Sequence, residues 1–306
     1  MFYVILLYAL FASVFTIAKA GLEYAEPLFF VGARMMIAGA LMLLFQYIFY
    51  RDSFIFKKEH FFRIFRLSLF NIYLTNAFEF WGLKHLTSFK ACFIYSLSPF
   101  VSALLSYAVF SEKLSFKKWI GLLIGFLGLT PILLSQTALE ETTGHLFFFS
   151  FAELSVIGAV FSSVYGWILL SQLVKENGYS PFMANGLSML IGGAMALFHS
   201  RCTESWDPVP VSSWIPFLSA AFLLILISNF ICYNLYGELL KRHSATFMSV
   251  AGFTTSFFTA FFGWVYLGET ITWPFYLSAF IVFSGLMLFY FEEIKDSETK
   301  ALRNFS

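Results

Sequence analysis

The chain has 306 residues, of which 59% are hydrophobic, 21% aromatic and 12% charged, and its formal net charge is +1. A soluble domain carries about 25% charged residues, so this composition excludes a water-soluble fold, and the absence of any basic cluster excludes a nucleic-acid surface. Cys92, Cys202 and Cys232 have neither CxxC spacing nor His-rich company, which argues against a metal site or a disulfide framework.

Apolar runs of about 20 residues match the thickness of a bilayer, and breaking the chain at charged or Pro/Gly/Ser-rich points yields ten of them. The first, 2–20, lacks a basic leader and is too long for a signal-peptide core, so it is read as a retained span. The second, 27–50, opens on Pro27 and carries Arg34. A permanently charged guanidinium at that depth needs an anionic partner. The third, 64–83, holds Asn71, Asn76, Glu79 and Trp81. A carboxylate facing lipid is costly. Glu79 therefore either lines a pathway and meets a cationic group or a proton, or it pairs with Arg34 or Lys90.

The fourth run, 88–110, has Lys90 near its start and Tyr95 one turn on. Lys90 either snorkels to the interface or turns inward to bind a substrate carboxylate. In the fifth, 117–135, Gly121, Gly125 and Gly128 share one face, which allows close helix approach. The sixth, 152–172, and seventh, 182–200, carry the small residues Ser162, Ser163, Gly192 and Gly193. The eighth, 213–236, contains Asn229, Tyr233, Asn234 and Tyr236, and the ninth and tenth run over 245–267 and 273–291. Asn76 and Asn229 either bridge neighbouring helices or read substrate donors and acceptors. Trp81, Tyr95 and Tyr233 have polar edges and faces suited to stacking on a planar base.

Cytoplasmic loops collect Lys and Arg. With the N-terminus inside, 14 of the 19 basic residues fall inside, three outside and two, Arg34 and Lys90, within spans. Both termini are therefore expected in the cytoplasm of a multi-pass bacterial inner-membrane protein. An internal repeat is also visible. Ser111 to Ser115 resembles Gly268 to Thr272 at an offset of 157 residues, and the same offset relates Thr87 to Ser244 and Gly128 to Gly285. Five spans per copy is an odd number, so the copies must insert in opposite senses, as in many secondary transporters. The expected division is a first five-helix repeat at 1–135, an extracytoplasmic linker at 136–151, a second repeat at 152–291 and a cytoplasmic tail at 292–306. Glu112 and Glu269, each closing a span, are expected to cap the next helix, where negative charge meets the positive end of the dipole.

In its order of features the chain resembles the EamA-type branch of the drug/metabolite transporter superfamily. The resemblance rests on Pro27 with Arg34, the Ser98-Pro99 step, Phe110-Ser111-Glu112-Lys113-Leu114-Ser115 and the glycines of the fifth span. It implies a ten-helix carrier with a central cavity open alternately to either side. Ser256 stands where Pro99 has its counterpart, and Val282 opposite Gly125, so a second half less kinked and less tightly packed is expected. Within that branch the Phe-rich, Lys-containing chain most resembles carriers by which intracellular bacteria take up host metabolites, and among these the exchangers of S-adenosylmethionine for S-adenosylhomocysteine. The resemblance implies a base-stacking aromatic (Tyr95 or Trp81), an acidic partner (Glu79) and a basic one (Lys90). Amino-acid or nucleotide-type metabolites, and a channel or lipid scramblase, are the alternatives. No GxxxxGK[ST] phosphate loop occurs and His60, His85, His145, His199 and His243 all lie at span ends or in loops, so neither a nucleotide-driven pump nor an enzyme is expected. No cofactor is expected, and membrane lipid and a small metabolite are the expected partners.

Overall fold

The computed structural model describes residues 2–51, 54, 56–110, 115–135, 138–147, 149–242, 248 and 251–304, with side chains described except at 106, 108–110, 138–139, 240–242 and 292–304. Among these residues the chain forms ten helical spans. The unbroken ones are spans one (Phe2–Gly21), two (Pro27–Phe49), six (Phe151–Lys175), seven (Pro181–Thr203) and ten (Trp273–Asn304), and span nine has its main helix at Thr254–Leu267. Spans three (61–85), four (88–110), five (116–134) and eight (214–242) each consist of two or three helical segments in series. The expected boundaries of spans one to seven lie within a few residues of the observed ones, span eight runs on to Arg242, and the expected start of span nine at 245 lies outside the described residues. Residues 292–304 of the charged tail continue span ten.

Among the described residues eight helices are long and apolar enough to cross a membrane. Span three misses that description because polar residues interrupt it, and span nine because its described helix has only 14 residues. Phe222, Trp264 and Phe280 are 65%, 59% and 71% exposed on the outside of the bundle. In water that surface would be a liability; in acyl chains it is solvated.

Small residues set the tightest packing. Span five lies along span ten, and a Cβ placed on Gly121 would come within 2.9 Å of the Gly285 carbonyl oxygen. Span two lies along span seven, where a Cβ on Gly39 would sit 2.8 Å from the Gly186 carbonyl oxygen. Lipid gives helices no hydrophobic reason to associate, so such backbone-to-backbone approach supplies the contact. Val282 was expected to loosen this seam. It is fully buried instead, and a Cβ on Gly128 would lie 2.8 Å from its backbone nitrogen.

Two irregularities recur between the halves. Spans three and eight each contain a stretch of π-helix, Ser68–Leu74 and Ile225–Cys232, whose first residues are 157 positions apart. Span four passes through a 3-10 turn at Tyr95–Leu97 before Pro99, and span nine is interrupted at Phe253, where the Ser256 N–H donates to the Phe253 carbonyl at 3.2 Å. The expected straighter ninth span is not found: the break persists without the proline. After span five, a one-turn helix, Ala138–Glu141, and a two-residue hairpin pairing His145–Leu146 with Phe149–Ser150 fold back over the bundle end.

Candidate functional site

Spans one, two, three, four, six, eight and nine line a cavity of about 380 Å³. Its deep wall is polar. Asn76, Glu79 and Arg34 come from spans three and two, and Tyr95 and Ser98 from span four. Span three reaches this position straight after its π segment. The Asn76 Nδ2 donates to the Ile72 carbonyl at 2.8 Å, which fixes the amide so that Oδ1 accepts from Arg34 Nη2 at 2.7 Å. Arg34 is buried at 1% exposure, and its guanidinium lies 4.8 Å from the centre of the Phe80 ring. Glu79 accepts a hydrogen bond from the Tyr95 hydroxyl at 2.6 Å.

The other walls are aromatic. Trp167 of span six stacks near Tyr236 and Tyr233 of span eight, with ring centroids 4.3 and 5.2 Å apart. Phe15 meets the edge of Tyr95 at 5.5 Å. The cavity continues past Ser171 and Gln172 to Glu176, at the end of the bundle where span one begins. There Glu176 lies 3.9 Å from Arg63, and both side chains are more than half exposed.

The opposite end is crossed by ion pairs and charge-assisted hydrogen bonds. Lys90 Nζ lies 2.6 Å from Glu140 and 2.8 Å from Glu153, and all three side chains are 3% exposed or less. Glu153 also accepts from the Ser150 N–H, completing a capping box at the start of span six. Glu269 accepts from the Ser88 N–H and hydroxyl, both at 2.7 Å, at the start of span four. Glu204 accepts from the Leu28 and Phe29 N–H groups at 2.6 and 2.9 Å, at the start of span two. Lys84 pairs with Glu26 at 2.7 Å, and Lys19 donates to the Leu83 and Lys84 carbonyls.

The structure brings together Glu79, Asn76, Tyr95 and Tyr233, with Arg34 among them. It does not bring Lys90, Trp81 or Asn229 to the cavity. Lys90 neither snorkels nor faces the cavity, because two carboxylates hold it. Trp81 is 38% exposed on the outer side of span three, tilted against His85. Asn229 bridges helices, its Nδ2 directed at the Met35 and Met189 sulfurs at 3.2 and 3.6 Å. Among the described residues no ion pair joins Arg34 to Glu79. Glu269 caps span four rather than the next helix: Gly268, with φ of 66°, reverses the chain and turns the carboxylate back. Glu112 lies outside the described residues. Gly121 and Gly125 are packing residues, Gly125 facing the Phe100 ring. Glu140, Glu153, Glu204, Trp167 and Gln172 have roles that the sequence reading did not assign; only Glu153 had a local signal, Ser150-x-x-Glu153 before an apolar run.

Residues 1–134 and 150–291 match the EamA-like transporter family. A protein of Chlamydia muridarum named as an S-adenosylmethionine/S-adenosylhomocysteine transporter is 37% identical over 287 residues, covering 94% of this chain and 90% of that one. A transporter of the same name from Chlamydia trachomatis serovar L2 is 37% identical over 290 residues, covering 94% and 87%. An uncharacterised Bacillus subtilis transporter, YoaV, is 24% identical over 88% of this chain and 89% of its own. A crystal structure with 14% sequence identity superposes with a TM-score of 0.64, covering 94% of this chain and 93% of that one, and so shares the fold.

Proposed function

This chain belongs to the EamA-like transporter family, and on that premise we propose that it takes up S-adenosylmethionine across a bacterial inner membrane in exchange for S-adenosylhomocysteine. The observation that carries this reading is the 37% identity to transporters of that name, spread over 94% of the chain. The cavity supports it. A volume near 380 Å³ suits a small metabolite, the Trp167–Tyr233–Tyr236 wall offers faces for a purine, and Glu79 with Tyr95 offers an anionic partner for a cationic group.

In this reading the two repeats, 1–135 and 152–291, rock against each other about the cavity, with the linker 136–151 outside. Both termini and the tail 292–306 are cytoplasmic, so the cavity opens to the cytoplasm and the Lys90 cluster seals the outer face. Residues 76, 79, 95 and 233 contact substrate. The sealed end favours a carrier over a channel, because a channel needs a path through both ends.

The test is uptake of radiolabelled S-adenosylmethionine by proteoliposomes holding the purified chain and loaded with S-adenosylhomocysteine. Saturable uptake that stops when the internal compound is omitted is expected. Saturable exchange of amino acids or nucleotides alone would move the substrate class, and uptake rising linearly with concentration would replace the carrier with a channel.

A further inference from the structure

We infer that Arg34 is the carboxylate-binding residue of the cavity, so that the carrier selects ligands with an α-amino-acid head group, carboxylate on Arg34 and ammonium on the Glu79–Tyr95 pair. The inference rests on the cavity being the substrate site and assigns the chemistry of that site.

Among the described residues only Nη2 of the guanidinium has an acceptor, the Asn76 carbonyl oxygen at 2.7 Å; Nε and Nη1 have none there although the residue is 1% exposed. A buried, permanently charged group with free donors is under-satisfied and calls for an anion. The neighbouring carboxylate does not fill that role, since Glu79 is engaged by Tyr95 and makes no ion pair with Arg34. The arrangement also holds the guanidinium still. Phe80 lies against its face, and Asn76, anchored on the π segment's Ile72 carbonyl, holds one nitrogen.

With one Nη2 hydrogen on Asn76, the second Nη2 hydrogen and the adjoining Nη1 or Nε still make a complete fork. A planar acceptor with two oxygens matches that fork. Arg34 and Glu79 line the same cavity as an acid and a base held apart, which is the complement of a zwitterion. Lys90, a second buried cation, is taken up by Glu140 and Glu153.

The test compares inhibition of radiolabelled S-adenosylmethionine exchange by unlabelled S-adenosylmethionine and by its decarboxylated analogue. The wild-type chain should favour the carboxylate-bearing compound on the order of 30-fold, as for a buried charged hydrogen-bond partner. In Arg34→Gln that ratio should fall to near one, and in Arg34→Lys to an intermediate value. A wild-type ratio near one, or an undiminished ratio in Arg34→Gln, overturns the inference and leaves the substrate assignment standing.

If neither adenosyl compound is exchanged, the substrate assignment fails, and thermal-shift measurements then decide. Methionine and phenylalanine, but not 3-methylthiopropylamine and phenethylamine, should raise the wild-type melting temperature, and Arg34→Lys but not Arg34→Gln should keep a weakened response. Equal responses to acids and amines in the wild type overturn the inference. Should Arg34→Gln fail to fold, the wild-type and Arg34→Lys comparisons carry the decision alone.

Discussion

At one end of the bundle Lys90 is clamped between two buried carboxylates, Glu140 and Glu153, whereas deep in the cavity Arg34 and Glu79 lie in the same chamber without pairing. Both regions place carboxylate and cation inside the helical bundle. Where ions meet at contact distance they fasten helices together; where they are held apart by hydrogen bonds to Asn76 and Tyr95, they are left for something else to bind. Charge inside a membrane is therefore not by itself a functional signal, and its partners decide the role.

The sharpest way to break this contrast is Lys90→Met, which strands two buried carboxylates. The loss should be about 3–5 kcal/mol, read as a lowered melting temperature in detergent together with increased labelling of a cysteine introduced at that end. An unchanged melting temperature would mean that the cluster does not hold the end closed. Glu79→Gln is the converse case: its shape and its hydrogen bond with Tyr95 can persist, so stability should stay within about 1 kcal/mol while exchange falls on the order of 30-fold. A transport rate like the wild type's would remove Glu79 from the site.

Much of the architecture was legible in the chain, and the reason is physical. A bilayer demands about 20 apolar residues per crossing, so the ten spans are written locally, and the 157-residue offset announces the second copy before any coordinate. Site partners are a different matter. Lys90 and Glu153 are 63 positions apart and Glu269 reaches Ser88 across 181, and no local pattern encodes such meetings. The two π segments also left no mark in residue type, since neither contains proline or glycine. Glu79 and Tyr95 were recognisable because polarity at that depth is expensive; Trp167 stands out as an aromatic with a polar edge, but the residues directly beside it in span six are apolar and do not mark it as a stacking face.

A smaller effect tests the seams that support both regions. Gly285→Ala would place a Cβ 2.7 Å from the Gly125 nitrogen and 2.8 Å from the Gly121 carbonyl oxygen. Backbone cannot yield as a side chain can, so about 1–3 kcal/mol of destabilisation is expected, measured as a lowered melting temperature with the substrate preference intact. The smallest expected effect is at Trp81, which lies outside the cavity. Trp81→Phe should alter stability and exchange by no more than about 0.5 kcal/mol; a large loss of exchange would place Trp81 on the transport path.

The separated acid and base have a consequence for bioenergetics. Arg34 and Glu79 together sum to zero, and at the mouth Arg63 offsets Glu176. The travelling charge is then that of the cargo: one positive for a sulfonium amino acid, none for its demethylated thioether. Such a swap is electrogenic, and an inside-negative voltage of 100 mV would favour entry of the cation by about 2.3 kcal/mol, or roughly 50-fold at equilibrium. Accumulation in vesicles clamped with potassium and valinomycin should follow the imposed voltage, and the chain would need no coupling ion to concentrate what it carries.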